Sequence, residues 1–71
     1  MKNKLADLRH RRGWTQADLA AAVNVSRQTV ISIERGRFDP SLPLAFALAR
    51  CFDVTVEDIF DPVDGQTYGS G

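Results

Sequence analysis

The side chains best suited to chemistry stand at the start of one short segment. Arg27 and Gln28 precede Val30 and Ile33, two apolar residues three positions apart. In a helix of 3.6 residues per turn with these apolar residues facing inward, Arg27, Gln28 and Ser32 face outward. Arg pairs bidentately with O6 and N7 of guanine, and Gln with N6 and N7 of adenine. These residue types therefore favour contacts with base edges in the major groove of DNA. The alternative is that Arg27 and Gln28 are ordinary solvated surface residues.

Cations bracket this segment and predict contacts with phosphate. Arg12 precedes it, and Arg35 and Arg37 follow it, although each could instead be a solvated charge. Gln16 is expected in the first turn of the preceding helix, where free N–H groups and the helix dipole attract anions. Thr29 has two open interpretations. It contacts a phosphate or a thymine methyl group, or it occupies the third position of a capped helix.

Other reactive side chains carry weaker signals. His10 lies in an arginine-rich run without a neighbouring Ser, Cys or carboxylate motif, so we interpret it as solvated. Cys51 is the single cysteine, which excludes an internal disulfide framework and favours a reducing cytoplasm. The acidic residues near the end lack calcium-loop spacing; they are Asp53, Glu57, Asp58 and Asp61. We predict no catalytic residue, no metal site and no cofactor.

The chain is short, and its charge is unevenly distributed. A chain of 71 residues allows one domain, which is too small for a large catalytic cleft. Residues 1–37 hold eight basic and three acidic side chains, a net charge of +5, and residues 38–71 hold one and six, a net charge of −5. A basic half attracts polyanions, although segregated surface charge is an alternative. No apolar run approaches the roughly 20 residues that span a bilayer, so we expect no membrane association.

Capping residues and helix-ending residues predict five short helices. The first is expected over roughly residues 3–12. The predicted caps of the other four are Thr15, Ser26, Ser41 and Thr55. The predicted helix ends are Gly13, Asn24, Gly36 and Asp53. Only Val25 separates the second helix end from the next cap, so the second and third helices are expected to meet at a tight corner.

The apolar spacing predicts one core in an all-α domain of residues 1–61. The expected core residues are Leu5, Leu8, Leu19, Val23, Val30, Ile33, Leu48, Phe52, Val54 and Ile59. The buried face of the fourth helix is expected to include Leu42, Ala45 and Ala49 as well. Residues 62–71 are polar and glycine-rich, and we interpret them as a flexible C-terminal tail.

The segment from Thr15 to Gly36 resembles the helix-turn-helix of phage repressor and Cro-like transcriptional regulators. It supplies the apolar residues of that motif, which are Leu19, Val23, Val25, Val30 and Ile33, and the small residue Ala20 at the helix contact. Asn24 stands where the family usually has Gly, a departure that its tolerance of left-handed backbone allows. The likeness extends over residues 1 to about 60. It implies a compact, five-helix, lambda-repressor-like domain that binds double-stranded DNA.

The resemblance also implies roles for individual residues. Members of the family often pair an Arg on the first helix with a Glu late in the third, and Arg9 and Glu34 match these positions. We therefore expect a structural ion pair between Arg9 and Glu34. The family commonly uses the Gln at the position of Gln16 to hold a backbone phosphate, and this side chain can also brace the recognition helix.

Together these features predict a sequence-specific transcriptional regulator, a repressor acting in the cytoplasm at the nucleoid, without enzymatic activity or a small-molecule ligand. One helix reads only a few base pairs, so we expect a homodimer on a pseudo-palindromic operator with half-sites roughly 34 Å apart. The candidates for the dimer surface are Leu44, Phe46, Val56 and Phe60. Two alternatives remain: an antitoxin or restriction–modification controller with the same DNA module, and a protein-interaction bundle that does not bind DNA.

Overall fold

Five α-helices follow one another in the computed structural model, which describes residues 1–60. They are α1 (Leu5–Arg11), α2 (Gln16–Ala22), α3 (Arg27–Glu34), α4 (Leu42–Phe52) and α5 (Val56–Ile59). Within this range the only strand-like pairing is an isolated antiparallel bridge between Asn3 and Phe60. Helix α1 begins later than the sequence predicted, because residue 3 takes part in this bridge. The predicted tail, residues 62–71, lies outside the described residues.

Short polar side chains begin four of these helices, as the sequence predicted. The Thr15 hydroxyl accepts a hydrogen bond from the Asp18 N–H (3.0 Å), and the Asp18 carboxylate accepts one from the Thr15 N–H (2.8 Å). Thr55 and Asp58 form the same reciprocal capping box at α5. The hydroxyls of Ser26 and Ser41 cap α3 and α4. Each cap side chain satisfies one of the four free N–H groups at the start of its helix, and in helices this short those four are a large share of all the backbone N–H groups.

Helices α1 to α4 end in the same backbone arrangement. Each is followed by a residue in the left-handed region: Gly13 (φ 70°), Asn24 (φ 59°), Gly36 (φ 73°) and Asp53 (φ 56°). At every one of these ends the next N–H reaches back five residues to a helix carbonyl, as in the bond from Val54 to Ala49. This pair of features defines a Schellman motif. All four predicted helix ends are confirmed, and each turns the chain sharply into its next segment.

One hydrophobic core joins the helices. Most of the predicted core residues are buried: Leu5, Leu19, Val30, Ile33, Leu48, Phe52 and Ile59. Three others are only partly buried and pack against that cluster: Leu8, Val23 and Val54. The small residues Ala20, Ala45 and Ala49 are buried as well and allow close helix contacts.

Two apolar residues lie where the sequence did not predict them. Leu42, expected on the buried face of α4, is 64% exposed. It is the first residue of α4 and lies at the rim of an open groove, so no neighbouring element covers it. Phe60, expected on the dimer surface, is only 7% exposed. Its backbone leaves α5 in an extended conformation and pairs with Asn3, which directs the aromatic ring into the core.

The capping box of α5 gives a pH-dependent prediction. Hydrogen bonds from the backbone and side chain of Thr55 lower the pKa of Asp58 below its ordinary value. The resulting stabilisation is present above about pH 4 and is lost as pH falls through the lowered pKa of the folded state. We expect Asp58→Asn to lower the urea midpoint at pH 7, and expect the difference from wild type to shrink near pH 3. Asp7→Asn on α1 is the control for net charge; an equal difference at both pH values would contradict this assignment.

Candidate nucleic-acid interface

A tight corner sets the angle between α2 and α3. The Val25 N–H donates to the Ala20 carbonyl (3.0 Å), and the Asn24 N–H donates to the Ala21 carbonyl (3.3 Å). These bonds satisfy carbonyls at the end of α2 while the left-handed Asn24 reverses the chain. Ser26 then caps α3 immediately. Two helices joined by so few residues cannot lie side by side, so α3 leaves the corner at a fixed angle.

Helix α3 buries one side and exposes the other. Val30 and Ile33 are almost completely buried. Arg27 and Gln28 are exposed in its first turn, as the periodicity predicts. Ser32 is half-buried, at the edge of the exposed face. The side chains that can pair bidentately with bases therefore extend from the end of α3 nearest the corner.

Thr29 and Ile31 lie beside this face. The Thr29 N–H donates to the Ser26 hydroxyl (3.1 Å), and the two hydroxyl oxygens are 2.9 Å apart. These bonds favour the capping interpretation of Thr29, although its side chain remains half-exposed. Ile31 is also half-buried.

A buried charged cluster holds three helices together. Arg9 Nε donates to Glu34 Oε2 (2.7 Å), and Arg9 Nη2 donates to Glu34 Oε1 (3.2 Å). The remaining Arg9 Nη1 donates to the Trp14 carbonyl (2.9 Å), and Gln16 Nε2 donates to Glu34 Oε1 (3.2 Å). The side chains of Arg9 and Glu34 are 9% and 8% exposed. This bidentate pair joins α1 to α3, and Gln16 ties the start of α2 to the same carboxylate.

The predicted phosphate-binding cations lie in two different environments. Arg35 and Arg37 are exposed on either side of Gly36, directly after α3. The Arg12 guanidinium instead lies over the rings of Trp14 (5.6 Å) and Phe52 (5.4 Å), whose centroids are 5.6 Å apart. This cation–π contact packs the end of α1 against α4. The structure therefore groups Arg35 and Arg37 with α3 and places Arg12 over the aromatic pair.

Two further candidates for chemistry are His10 and Cys51. His10 is exposed on α1. Cys51 is half-buried on α4, and burial raises the pKa of its thiol more than the nearby Arg12 lowers it. Such a thiol is less ionised, and so less reactive, than an ordinary cysteine. Among residues 1–60 no group of three His, Cys, Asp or Glu side chains is arranged to hold a metal ion.

Asn3 contacts α3 in a way that the sequence did not predict. Its side chain forms a hydrogen bond with the Ile33 carbonyl, thirty residues away on α3. The sequence signal was an Asn shortly before the first helix, where such residues commonly cap. That signal gives no information about a contact with a distant helix.

Three comparisons place the chain among known proteins. The sequence profile of the helix-turn-helix family matches residues 5–59. An uncharacterised HTH-type transcriptional regulator of Methanocaldococcus jannaschii is 57% identical over 60 residues, which cover 84% of this chain and 91% of that protein. YgzD, an uncharacterised HTH-type transcriptional regulator of Bacillus subtilis, is 47% identical over 60 residues, with the same coverage of 84% and 91%. The crystal structure of the restriction-modification controller protein C.AhdI from Aeromonas hydrophila matches with a TM-score of 0.73 and 32% identity, covering 80% of this chain and 86% of that one.

The corner, the exposed face of α3 and these matches define a DNA-binding transcriptional regulator. The chain belongs to the helix-turn-helix family. The resemblance seen in the sequence and the all-α, five-helix fold are thereby confirmed. No helix within residues 1–60 has the length and apolar character needed to cross a membrane.

The buried pair gives a test of how α3 is held. Glu34→Ala leaves the Arg9 charge buried without its partner, which typically lowers the free energy of unfolding by about 3–5 kcal/mol. Asp7→Ala removes an exposed carboxylate from the first turn of α1 and should lower it by less than about 1 kcal/mol. Urea denaturation of both variants measures the difference. A urea midpoint of Glu34→Ala equal to that of wild type would show that the pair does not stabilise the fold.

Proposed function

We propose that this protein is a repressor that binds double-stranded DNA sequence-specifically, with α3 lying in the major groove. The observation that carries the proposal is the exposure of Arg27 and Gln28 in the first turn of a helix whose opposite side is buried. Arg27 would pair with guanine and Gln28 with adenine. Ser32, and the half-exposed side of Thr29, would add contacts at the edge of the same groove.

Phosphate contacts would fix the register of α3 on the duplex. Arg35 and Arg37 are exposed directly after α3, so in the proposed complex they would lie close to the DNA strand beside the groove that α3 enters. Gln16 is half-buried and donates to Glu34, so its role combines bracing of α3 with a contact through its remaining N–H and the start of α2. The Arg12 side chain remains exposed although it lies over the aromatic rings, and it would contact phosphate from the end of α1.

A second copy of the chain would supply the second half-site. Phe46 is 50% exposed on α4 beside the exposed Leu42. Leu42 also lines an open apolar groove of about 530 Å³. We name Leu42 and Phe46 the α4 face. Of the other predicted dimer residues, Leu44 and Val56 are half-buried and pack against the core. In a symmetric dimer the α4 faces would meet and present two copies of α3 to half-sites roughly 34 Å apart.

The regulator would act at the nucleoid in the cytoplasm without an enzymatic step, a cofactor or a small-molecule ligand. The structural similarity to a restriction-modification controller supports one variant of this function, in which the chain is itself a restriction–modification controller. An antitoxin would use the same DNA module. A toxin that copurifies with the chain, or the identity of neighbouring genes, would distinguish these variants. A protein-interaction bundle, by contrast, would show no DNA affinity.

The proposed base contacts are tested by selecting bound duplexes from a random DNA pool. Arg27→Ala and Gln28→Ala should each weaken binding to the selected duplex by about 1–3 kcal/mol, with little effect on a scrambled duplex. Arg37→Ala should instead weaken binding to both duplexes similarly and reduce the salt slope by about one. Fluorescence anisotropy over a salt series measures these effects.

Two results would contradict this function. Affinity of the wild type that does not change with salt would exclude phosphate contacts. Equal losses on both duplexes for Arg27→Ala and Gln28→Ala would show that these residues do not read bases.

The proposed dimer is tested by Phe46→Glu, which puts a charge in the centre of the α4 face. We expect a monomer in sedimentation experiments at concentrations where the wild type is a dimer. Binding to a duplex with two half-sites should weaken by about 10²-fold or more, because avidity is lost, while binding to one half-site stays unchanged. His10→Glu, exposed on α1, is the control. A dimeric Phe46→Glu protein would exclude this surface.

A further inference from the structure

The four residues before α1 connect two ends of the domain. The Lys4 N–H donates to the Ile59 carbonyl (2.7 Å), and Asn3 forms its backbone bridge with Phe60 at the end of α5. The Met1 amino group donates to the Gly36 carbonyl (3.0 Å), just beyond the end of α3. We call residues 1–4 the N-terminal arm. The arm therefore spans from the end of α5 to the end of the helix that is proposed to read DNA.

The Asn3 side chain is the central connection of this arm. Its Nδ2 donates to the Ile33 carbonyl (2.7 Å) and to the Met1 carbonyl (3.1 Å). Its Oδ1 accepts a hydrogen bond from the Leu5 N–H (3.1 Å), one of the free N–H groups at the start of α1. One half-buried amide thus uses both of its donor hydrogens and its acceptor at the same time.

The bond to Ile33 holds the backbone of α3 where its own hydrogen bonding ends. The last four carbonyls of a helix lack partners within the helix, and this one is shared between Asn3 and the Gly36 N–H (2.9 Å). The Glu34 side chain is fixed separately by Arg9. The corner fixes the first turn of α3. Its last turn is held by two other contacts, because Asn3 bonds to the Ile33 carbonyl and Arg9 bonds to Glu34.

We propose that Asn3 is a positioning residue for DNA reading, which sets the orientation of the last turn of α3 through its hydrogen bond to the Ile33 carbonyl. This inference rests on the proposed function. Without the bond, the last turn of α3 tilts about the corner, and Arg35 and Arg37 shift relative to Arg27 and Gln28. Phosphate contacts set the register for base contacts, so the shift lowers discrimination between sequences more than general affinity for DNA.

The variant Asn3→Asp separates the two roles of the side chain. A carboxylate still accepts from the Leu5 N–H at the start of α1, but it has no hydrogen to donate to the Ile33 carbonyl. We expect the ratio of affinities for the selected and scrambled duplexes to fall by about 3- to 10-fold, the effect of one lost hydrogen bond. The urea midpoint should fall less than that of Glu34→Ala, because the bond to the Leu5 N–H is retained while the new carboxylate oxygen faces the Ile33 and Met1 carbonyls without a hydrogen to donate.

Two further variants remove ambiguity. Asn3→Asp adds a negative charge, so a control for charge is needed. Ser41→Asp adds the same charge and preserves the cap of α4. This control should weaken binding to both duplexes and leave the ratio of their affinities unchanged. Asn3→Ser keeps a short acceptor near α1 without added charge, but it is too short to reach α3. It should show the same loss of discrimination as Asn3→Asp, and it replaces that variant if Asn3→Asp does not fold.

The hydrogen bond between Asn3 and the Ile33 carbonyl is also tested in the absence of DNA. Amide hydrogen exchange at Arg35, Gly36 and Arg37 should be faster in Asn3→Asp and Asn3→Ser than in Ser41→Asp, because the last turn of α3 opens more often. Unchanged exchange together with an unchanged affinity ratio would overturn the inference alone, provided that the wild type selects a defined sequence. A wild type that selects no sequence would overturn the proposed function and this inference with it.

Discussion

The orientation of α3 depends on an ion pair enclosed between helices. Arg9 and Glu34 are nearly inaccessible to water, and burial of either charge alone would be strongly unfavourable. Their bidentate geometry and the additional bonds to Trp14 and Gln16 satisfy the pair. A buried pair of this kind adds little net stability compared with apolar packing, but it tolerates few alternative geometries. Its main physical effect is therefore to specify how α1, α2 and α3 meet.

Backbone geometry provides the second constraint. Helices of four to eleven residues are too short to be stable alone in water. The side-chain caps satisfy N–H groups at one end of the helices, and the Schellman motifs satisfy carbonyls at the other. Since both devices use neighbouring residues, the directions of the chain at the corners are set locally. The hydrophobic core then has only to select one arrangement of these short helices.

The difference between local and long-range contacts explains which features the sequence predicted. Caps such as Thr15 and helix ends such as Asn24 act within a few residues, so their types and spacing are sufficient to find them. Leu42 and Phe60 were placed wrongly, because their burial depends on whether another element passes over them. The Asn3 contact was missed for the same reason, since it joins residues far apart in the chain. Stacking of Arg12 on two rings likewise depends on how α1 packs against α4.

The two ends of α3 are fixed by different parts of the chain, and this has a consequence for assembly. The corner fixes the first turn from within the motif, whereas the last turn is held by Asn3 from the N-terminal arm. The same arm contributes Met1 to the apolar groove beside the α4 face and pairs with Phe60, which also lines that groove. In the proposed dimer, a second copy of the chain would contact the groove lined by Met1 and Phe60, which belong to or pair with the arm that holds α3. Subunit association and the orientation of the reading helix would then be set by one connected group of contacts.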